Sequence, residues 1–167
     1  SGTVDRPQDG IIHWARITGS LIGGDANFSG RIKTSGAIGR LYIGGDVVGG
    51  IGDQSGRVSA GGELIDLRVV GSIFGGDGYK SGFIGADGAI RTAKLGHGKY
   101  HGLLQGGAGE DSGGIFGSEI GSLSLNAQRN GLVNCSRPSH ATRLSADAGS
   151  SGEVGTRTGN CRAPAFM

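Results

Sequence analysis

The stretch SGRIKTSGAIGRLYIGGD, residues 29–46, combines two features that normally belong to different structures. It has a glycine every few residues, as a turn or linker does, and it has Ile and Leu at regular places, as a packed strand does. A helix is disfavoured here, because each internal glycine costs about 1 kcal/mol relative to alanine. The stretch therefore predicts short strands joined by glycine-containing corners.

The same pattern recurs along the chain with a period of 26 residues. Five octets carry it: GIIHWARI (10–17), GAIGRLYI (36–43), GELIDLRV (62–69), GAIRTAKL (88–95) and, after a spacing of 30, SEIGSLSL (118–125). Each octet begins with Gly or Ser and has apolar residues at its third, sixth and eighth places. The segments between octets also match, since Ser-Gly recurs at 29, 55, 81 and 112. Repetition of this extent is typical of proteins built from stacked units.

Within each octet the pattern predicts a strand with one buried face. Places six and eight are apolar and place seven is mostly polar, which is the period of two expected for a strand. Stacking equivalent strands at about 4.8 Å places their apolar side chains in interior columns, with glycines at the corners. We therefore predict an all-β fold, a parallel β-solenoid (β-helix) of about four to five 26-residue coils. One hairpin per unit, as in a propeller or β-roll, is the alternative, but the unit is short for a propeller blade.

The period divides the chain into three parts. Residues 1–9 form an N-terminal lead-in, residues 10–125 form the solenoid, and residues 126–167 depart from the pattern. Arg, Ser and Ala dominate this last part, so we expect a poorly structured tail, disordered or acting as a cap over the open end of the core. Both cysteines, Cys135 and Cys161, lie there, and the sequence leaves open whether they pair.

Composition and charge exclude several classes of function. The formal net charge is only +2, so we expect no nucleic-acid partner. No apolar run approaches the roughly 18 residues of a membrane span, so we expect no membrane insertion. Stretches similar to GxGxxG arise by chance among 38 glycines, and none of them opens a predicted helix. Nucleotide binding is therefore not supported.

The acidic residues predict neither a metal site nor a catalytic site. GGDG and GGIGD are similar to the repeats of calcium-binding solenoids, in which Asp recurs at a short fixed period. Here Asp25 and Asp77 share a place, but the unit between them has Ile51 there, so no acidic column forms. Glu63 and Asp66 have no acidic counterparts in the adjacent octets, whereas glycoside hydrolysis requires paired carboxylates. We expect no metal, no cofactor and no enzymatic activity.

Polar residues at place seven of the octets predict a column on the outside of the coil. We call it the outer column, and it consists of Arg16, Tyr42, Arg68 and Lys94. Arg31 and Arg57 form a second pair of cations at the same interval. Cations at one-coil intervals suit a repeating anion such as an acidic polysaccharide, although outward polar residues also serve simply to keep a sheet soluble.

A second candidate binding site is an insertion of about five residues in the fourth unit, within GHGKYHGLLQ (96–105). Its candidate ligand-binding residues are His97, Lys99, Tyr100 and His101. Loops on a rigid scaffold often carry binding sites, which makes these residues candidates for weak ligand binding. Two histidines without an evident third ligand do not predict zinc.

The stretch GGDVVGGIGDQSGRVSAGGELIDLRVVGS (44–72) resembles the glycine-rich repeats of very large surface or secreted proteins of planctomycetes and related bacteria. The resemblance covers residues 10–125 and leaves the remainder unmatched. It implies an extracellular or cell-surface β-helical segment, similar in broad terms to filamentous adhesins, and it brings no catalytic motif.

Fold and resemblance together predict a non-catalytic structural or adhesive repeat segment. The open ends of such a coil stack would allow end-to-end self-association into filaments. The alternative is a carbohydrate-binding or carbohydrate-active β-helix fragment, whose working face would include the basic columns and the loop at 96–105.

Overall fold

The computed structural model describes residues 4–5, 10–97, 102–125, 127–129, 131–135 and 143–145. Within these residues every regular element is a strand, and every strand pair is parallel. Each strand pairs with its equivalent in the next repeat unit rather than with a hairpin partner. The predicted parallel β-solenoid is therefore confirmed, and the propeller and β-roll alternatives are excluded.

Each coil contributes one strand to each of three sheets. The first sheet contains β2 (Ile12–Ile17), β5 (Ile38–Ile43), β8 (Leu64–Val69), β11 (Ile90–Leu95), β14 (Ile120–Ser124) and β17 (Arg143–Ser145). The second sheet contains β3 (Leu21–Ile22), β6 (Val47–Val48), β9 (Ile73–Phe74), β12 (Leu103–Gln105) and β15 (Ala127–Arg129). The third sheet contains β1 (Val4–Asp5), β4 (Arg31–Thr34), β7 (Arg57–Ala60), β10 (Phe83–Ala86), β13 (Gly114–Gly117) and β16 (Leu132–Cys135).

The register between coils follows the sequence period. Ile38 pairs with Leu64, and Leu64 pairs with Ile90, each at a shift of 26 residues. In the second sheet, Leu104 pairs with Ile73 at a shift of 31. The five additional residues therefore lie between β11 and β12, which confirms the insertion predicted within residues 96–105.

Columns of aliphatic side chains fill the interior. The third, sixth and eighth places of the last four octets are buried: Ile38, Leu41, Ile43, Leu64, Leu67, Val69, Ile90, Ala93, Leu95, Ile120, Leu123 and Leu125. Their counterparts Ile12, Ala15 and Ile17 are only partly buried, since β2 is the outermost described strand of its sheet. Full burial of one such Leu or Ile stabilises the fold by roughly 1.5–3 kcal/mol, so the columns supply most of the driving force for stacking.

Strands occur outside the predicted solenoid boundaries of 10 and 125. β15, β16 and β17 pair with β12, β13 and β14 and add a layer to each sheet. At the other end, β1 pairs with β4 in the third sheet. Parts of the predicted lead-in and tail therefore belong to the stack. Cys161, which bears on the question of a disulfide, lies outside the described residues.

A recurring corner joins the second sheet to the third. We call it the serine corner; it reads Gly-Gly, four variable residues, Ser-Gly, at 23–30, 49–56, 75–82 and 106–113. In all four copies the Ser Oγ accepts a hydrogen bond of 2.8–3.0 Å from the N–H of the second glycine. The last three of these serines are buried. In these three copies the hydroxyl therefore satisfies a backbone donor where water has little access.

The end of the serine corner requires left-handed backbone. In the second copy, Gln54 has a φ of 54° and Gly56 a φ of 58°. A Cβ atom at Gly56 would lie 2.0 Å from the carbonyl oxygen of Val48. The N–H of Gly56 also donates to the carbonyl of Ser29 in the preceding coil, at 2.9 Å. Close approach of the backbone, as well as positive φ, therefore makes glycine necessary at this place.

Side chains also connect the corners between the first and second sheets. The Oγ of Ser20 accepts the N–H of Asp46 at 2.9 Å, and Oδ1 of Asp46 accepts the N–H of Ser72 at 2.8 Å. The Oγ of Ser72 in turn accepts the N–H of Leu103 at 3.1 Å. One side-chain oxygen per coil thus receives a backbone donor of the next coil, which reinforces the register set by the strands.

We predict that Gly56→Ala destabilises the protein by at least about 3 kcal/mol, because the methyl group meets a backbone carbonyl and the residue must keep a positive φ. Gly19→Ala is the matched control, since its Cβ would meet no atom within 4 Å. Denaturant unfolding of both variants, followed by circular dichroism, measures the difference. Equal stability of the two variants would contradict the geometry described for the serine corner.

Candidate functional site

The outer column lies on the outer face of the first sheet, as the sequence predicts. Arg16 pairs with Tyr42, Tyr42 with Arg68, and Arg68 with Lys94, across four consecutive strands. Neighbouring strands lie about 4.8 Å apart, so the column extends over roughly 14 Å from Arg16 to Lys94. Three cations and one phenol are thus aligned parallel to the solenoid axis.

Two contacts position side chains of the outer column. The guanidinium of Arg16 lies over the ring of Tyr42, 5.3 Å from its centroid, in a cation–π arrangement. Nη2 of Arg68 lies 2.7 Å from Nδ1 of His97. Because arginine can only donate, this bond requires the His97 tautomer that carries its hydrogen on Nε2. Arg16 and Arg68 are therefore held in place before any ligand arrives.

Trp14 adds an aromatic surface that was not singled out from the sequence. It lies in the row beside the outer column, in register with Arg40, and its side chain is 60% exposed. An exposed indole at an outward place of the octet is the signal that could have identified it. Aromatic side chains at surfaces provide flat apolar area for recognition, so Trp14 extends the candidate site at its first coil.

Two carboxylates of this face, Asp66 and Glu63, are engaged in ion pairs. Nε of Arg40 lies 3.2 Å from Oδ2 of Asp66. Arg91 binds Glu63 through Nε and Nη2, at 2.9–3.1 Å. Exposed pairs of this kind contribute little to stability, typically below about 1 kcal/mol. They matter more for the electrostatic potential of this face. Each pair neutralises a carboxylate, so the outer column remains as a strip of net positive charge.

Arg31 and Arg57 pair in register in the third sheet, at the one-coil interval that the sequence predicts, and both are half-buried. The guanidinium of Arg31 lies 5.1 Å from the ring centroid of Phe28, and that of Arg57 lies 5.4 Å from that of Phe83. Burial lowers the pKa of Arg57, and the positive charge of Arg31 lowers it further. The guanidinium of Arg57 is therefore partly covered by the Phe83 ring.

The inserted stretch contributes one described residue to the site, His97, through its bond to Arg68. Lys99, Tyr100 and His101 lie outside the described residues. Of the four residues predicted to form a binding site in the insertion, His97 is therefore the one whose position the structure describes. Because His97 contacts Arg68, the inserted stretch adjoins the outer column.

Side-chain oxygens of Asn27 and Asp53, in the corners, accept hydrogen bonds from backbone N–H groups of the next coil. Oδ1 of Asn27 accepts the N–H of Asp53, and Oδ1 of Asp53 accepts the N–H of Tyr79, both at 2.9 Å. Asp25, Asp53 and Asp77 are all exposed. In the part of the chain that the structure describes, no three His, Cys, Asp or Glu side chains converge as a metal site would require. Asp53 thus has a structural role that its sequence position alone does not reveal.

Comparison of the chain with protein-family models, with curated proteins and with solved structures found no match. Among the described residues, no helix has the length and apolar character needed to cross a membrane. The outer face of the first sheet is basic and carries an exposed tryptophan.

We predict that Asp53→Ala lowers the free energy of unfolding by about 1 kcal/mol, because the N–H of Tyr79 loses its acceptor in the preceding coil. Asp25→Ala, in the equivalent corner one coil earlier, should change it by less than about 0.5 kcal/mol. Thermal unfolding with added CaCl2 or with EDTA should show the same midpoint for the unmodified chain. A calcium-dependent rise in the midpoint that is lost in Asp53→Ala would contradict the structural role of this residue.

Proposed function

We propose that the chain is a non-catalytic structural segment of an extracellular or cell-surface protein, and that the outer face of its first sheet binds acidic glycans weakly. The observation that carries this proposal is the outer column, in which Arg16, Arg68 and Lys94 are aligned along the solenoid axis. The resemblance of residues 10–125 to repeats of bacterial surface proteins supports the extracellular location.

The spacer role is supported by the way in which the coils are connected. Each strand is hydrogen-bonded to its copy in the next coil, and corner side chains such as Asp46 and Asp53 add further bonds between coils. Solenoids of this kind gain stability from nearest-neighbour interfaces, so their length can change without changing the packing within a unit. Such a rod holds whatever is attached to its ends at a fixed distance.

The glycan-binding role is supported by charge and geometry. A polysaccharide with a carboxylate or sulfate on successive units is a linear array of anions, and the outer column is a linear array of cations with a step of about 4.8 Å. Arginine can hold a carboxylate through two parallel hydrogen bonds, and Arg68 is already oriented by His97. The exposed indole of Trp14 can pack against the apolar face of a sugar ring beside this column.

The non-catalytic assignment is supported by the state of the nearby carboxylates. A general acid or nucleophile must be free to reach the glycosidic bond. Asp66 and Glu63 are instead held by Arg40 and Arg91 in ion pairs. A carbohydrate-active fragment is the alternative, and the binding experiment below distinguishes it through product formation.

We predict that the full chain binds immobilised polygalacturonate, alginate or heparin and that binding weakens as salt is raised, because exposed charges are screened. Lys94→Ala and Arg68→Ala should each weaken binding by about three- to tenfold. Lys33→Ala is the matched control, since it removes an exposed lysine from the third sheet. Biosensor titrations against these polymers and against uncharged dextran provide the measurement.

Two results would overturn this proposal. One is an equal loss for Lys94→Ala and Lys33→Ala, which would show that only net charge matters. The other is the release of oligosaccharides from any of the polymers, detected by chromatography, which would establish the carbohydrate-active alternative.

End-to-end self-association is the second role that we propose, and a specific feature favours it. β2 and β3 each have a single described neighbour in their sheets, so one edge of each carries backbone groups available for pairing. Static light scattering should then show a mass that rises with protein concentration. Arg16→Pro in β2 removes the N–H of a residue in this edge strand and should reduce the rise, whereas a constant monomer mass for the unmodified chain would refute the idea.

A further inference from the structure

A groove of about 230 Å³ lies on the outer face of the third sheet, separate from the outer column on the first sheet. Its walls combine charged and aromatic side chains: Arg57, Lys80, Phe83, Asp87, Asp111 and Phe116. Asn134 of β16 contributes an amide at one end. Concave sites with an apolar floor and a few convergent polar groups are the usual form of small-ligand sites.

The groove arises where the repeat is interrupted. Ser59, Gly85 and Phe116 occupy one outward row of the third sheet, in register on β7, β10 and β13. Gly85 has no side chain, so the row lacks one between Ser59 and Phe116. Cε1 of Phe83 lies 3.0 Å from the position that a Cβ of Gly85 would take, so this ring covers the glycine and forms the floor. A larger residue at position 85 would press on the ring and change the floor.

Arg57 is fixed in the wall of the groove before any ligand binds. Its guanidinium stacks on Phe83, and its Nη1 donates to Oε1 of Gln54. Its Nη2 lies 3.9 Å from the Cβ position of Gly85, above the floor. A donor that is held in this way loses little conformational entropy when it binds a ligand.

The charges of the groove balance. Nζ of Lys80 lies 3.9 Å from Oδ2 of Asp111. Asp87 lies close enough to Arg57 for its negative charge to oppose the effect of burial on the arginine. Two cations thus face two carboxylates, in contrast to the net positive outer column. This balance favours an uncharged ligand that both donates and accepts hydrogen bonds.

We propose that this groove binds a neutral sugar residue, with the apolar face of its ring on Phe116 and its hydroxyl groups bonded to Arg57, Asp87 and Asn134. A hydroxyl group is both a donor and an acceptor, so it can give its hydrogen to Asp87 while it accepts one from Arg57 or Asn134. The phenyl ring of Phe116 is half-buried at the edge of the groove, where a sugar ring can pack on it.

This proposal goes beyond the acidic-glycan function, because it concerns another face and another class of ligand. Saturation-transfer NMR on the full chain tests it with the methyl glycosides of glucose, galactose, mannose and N-acetylglucosamine as probes. Methyl glucuronide serves as the charged counterpart of methyl glucoside. At least one neutral glycoside should bind with a roughly millimolar Kd, as expected for a single sugar residue in a shallow site.

Phe116→Ala and Asp87→Ala should each raise that Kd by about fivefold or more. Gly85→Val should abolish binding, because its side chain would collide with the Phe83 ring and displace the floor of the groove. Asp77→Ala is the matched control for Asp87→Ala, since it removes an exposed aspartate outside the groove, and Lys94→Ala is the control for the outer column. Both controls should leave the Kd within about twofold, and circular dichroism verifies that each variant is folded.

Three outcomes would overturn the proposal: no saturation transfer to any neutral glycoside, tighter binding of methyl glucuronide than of methyl glucoside that Gly85→Val abolishes and Lys94→Ala does not, or equal Kd values in the groove and control variants. None of them bears on polyanion binding by the first sheet, so failure here and failure of the proposed function are distinguishable. Loss of neutral-sugar binding in Lys94→Ala would likewise assign that binding to the outer column instead.

Discussion

The requirement that each coil lie in register on the next governs the whole structure. In a parallel stack, the backbone donors and acceptors of one coil are satisfied by the coils on either side, both in the strands and at the corners. Gly56 donates to Ser29, and Gly82 donates to Ser55, both at 2.9 Å. A change in the length of a coil would break these bonds unless the added residues lie outside the paired segments. The insertion between β11 and β12 meets that condition, since the register of β12 on β9 is restored after it.

Corner side chains make the register more specific than backbone pairing alone can. Parallel strands of two residues, such as β3 and β6, form few hydrogen bonds and could slip by one place. The N–H of Asp46 donates to Ser20 and the N–H of Ser72 donates to Asp46, which connects the residues just before these short strands. Within a coil, the serine hydroxyl of each serine corner holds the second glycine of that corner in the same way. Polar groups therefore position the coils, while the aliphatic columns supply most of the favourable free energy.

The sequence predicts the fold well because an aliphatic side chain recurs at the same interior places of each coil. Positions such as Ile38, Leu64 and Ile90 carry the same kind of side chain at a constant interval, so their column is visible in the sequence. The corner ladders are harder to predict, because Ser20 and Asp46 differ in charge and share only a side-chain oxygen at a suitable distance. The contact between Arg57 and Phe83 is harder still to predict. Phe83 lies one coil away, at a place where the two preceding coils have an arginine.

The outer faces are only partly predictable from the sequence: the outer column follows the period, but the groove and Trp14 do not. A side chain that points inward must match its neighbours in the coils above and below, whereas an outward one must only remain compatible with water. Gly85 and Phe116 depart from the serine at position 59 without disturbing the core, and the groove results from these two departures. Trp14 is another such departure, beside Arg16 of the outer column. In a solenoid, the repeated packing of the interior fixes the position of each outward side chain. The outer column therefore follows the 26-residue period, whereas the groove and Trp14 lie where outward residues depart from it.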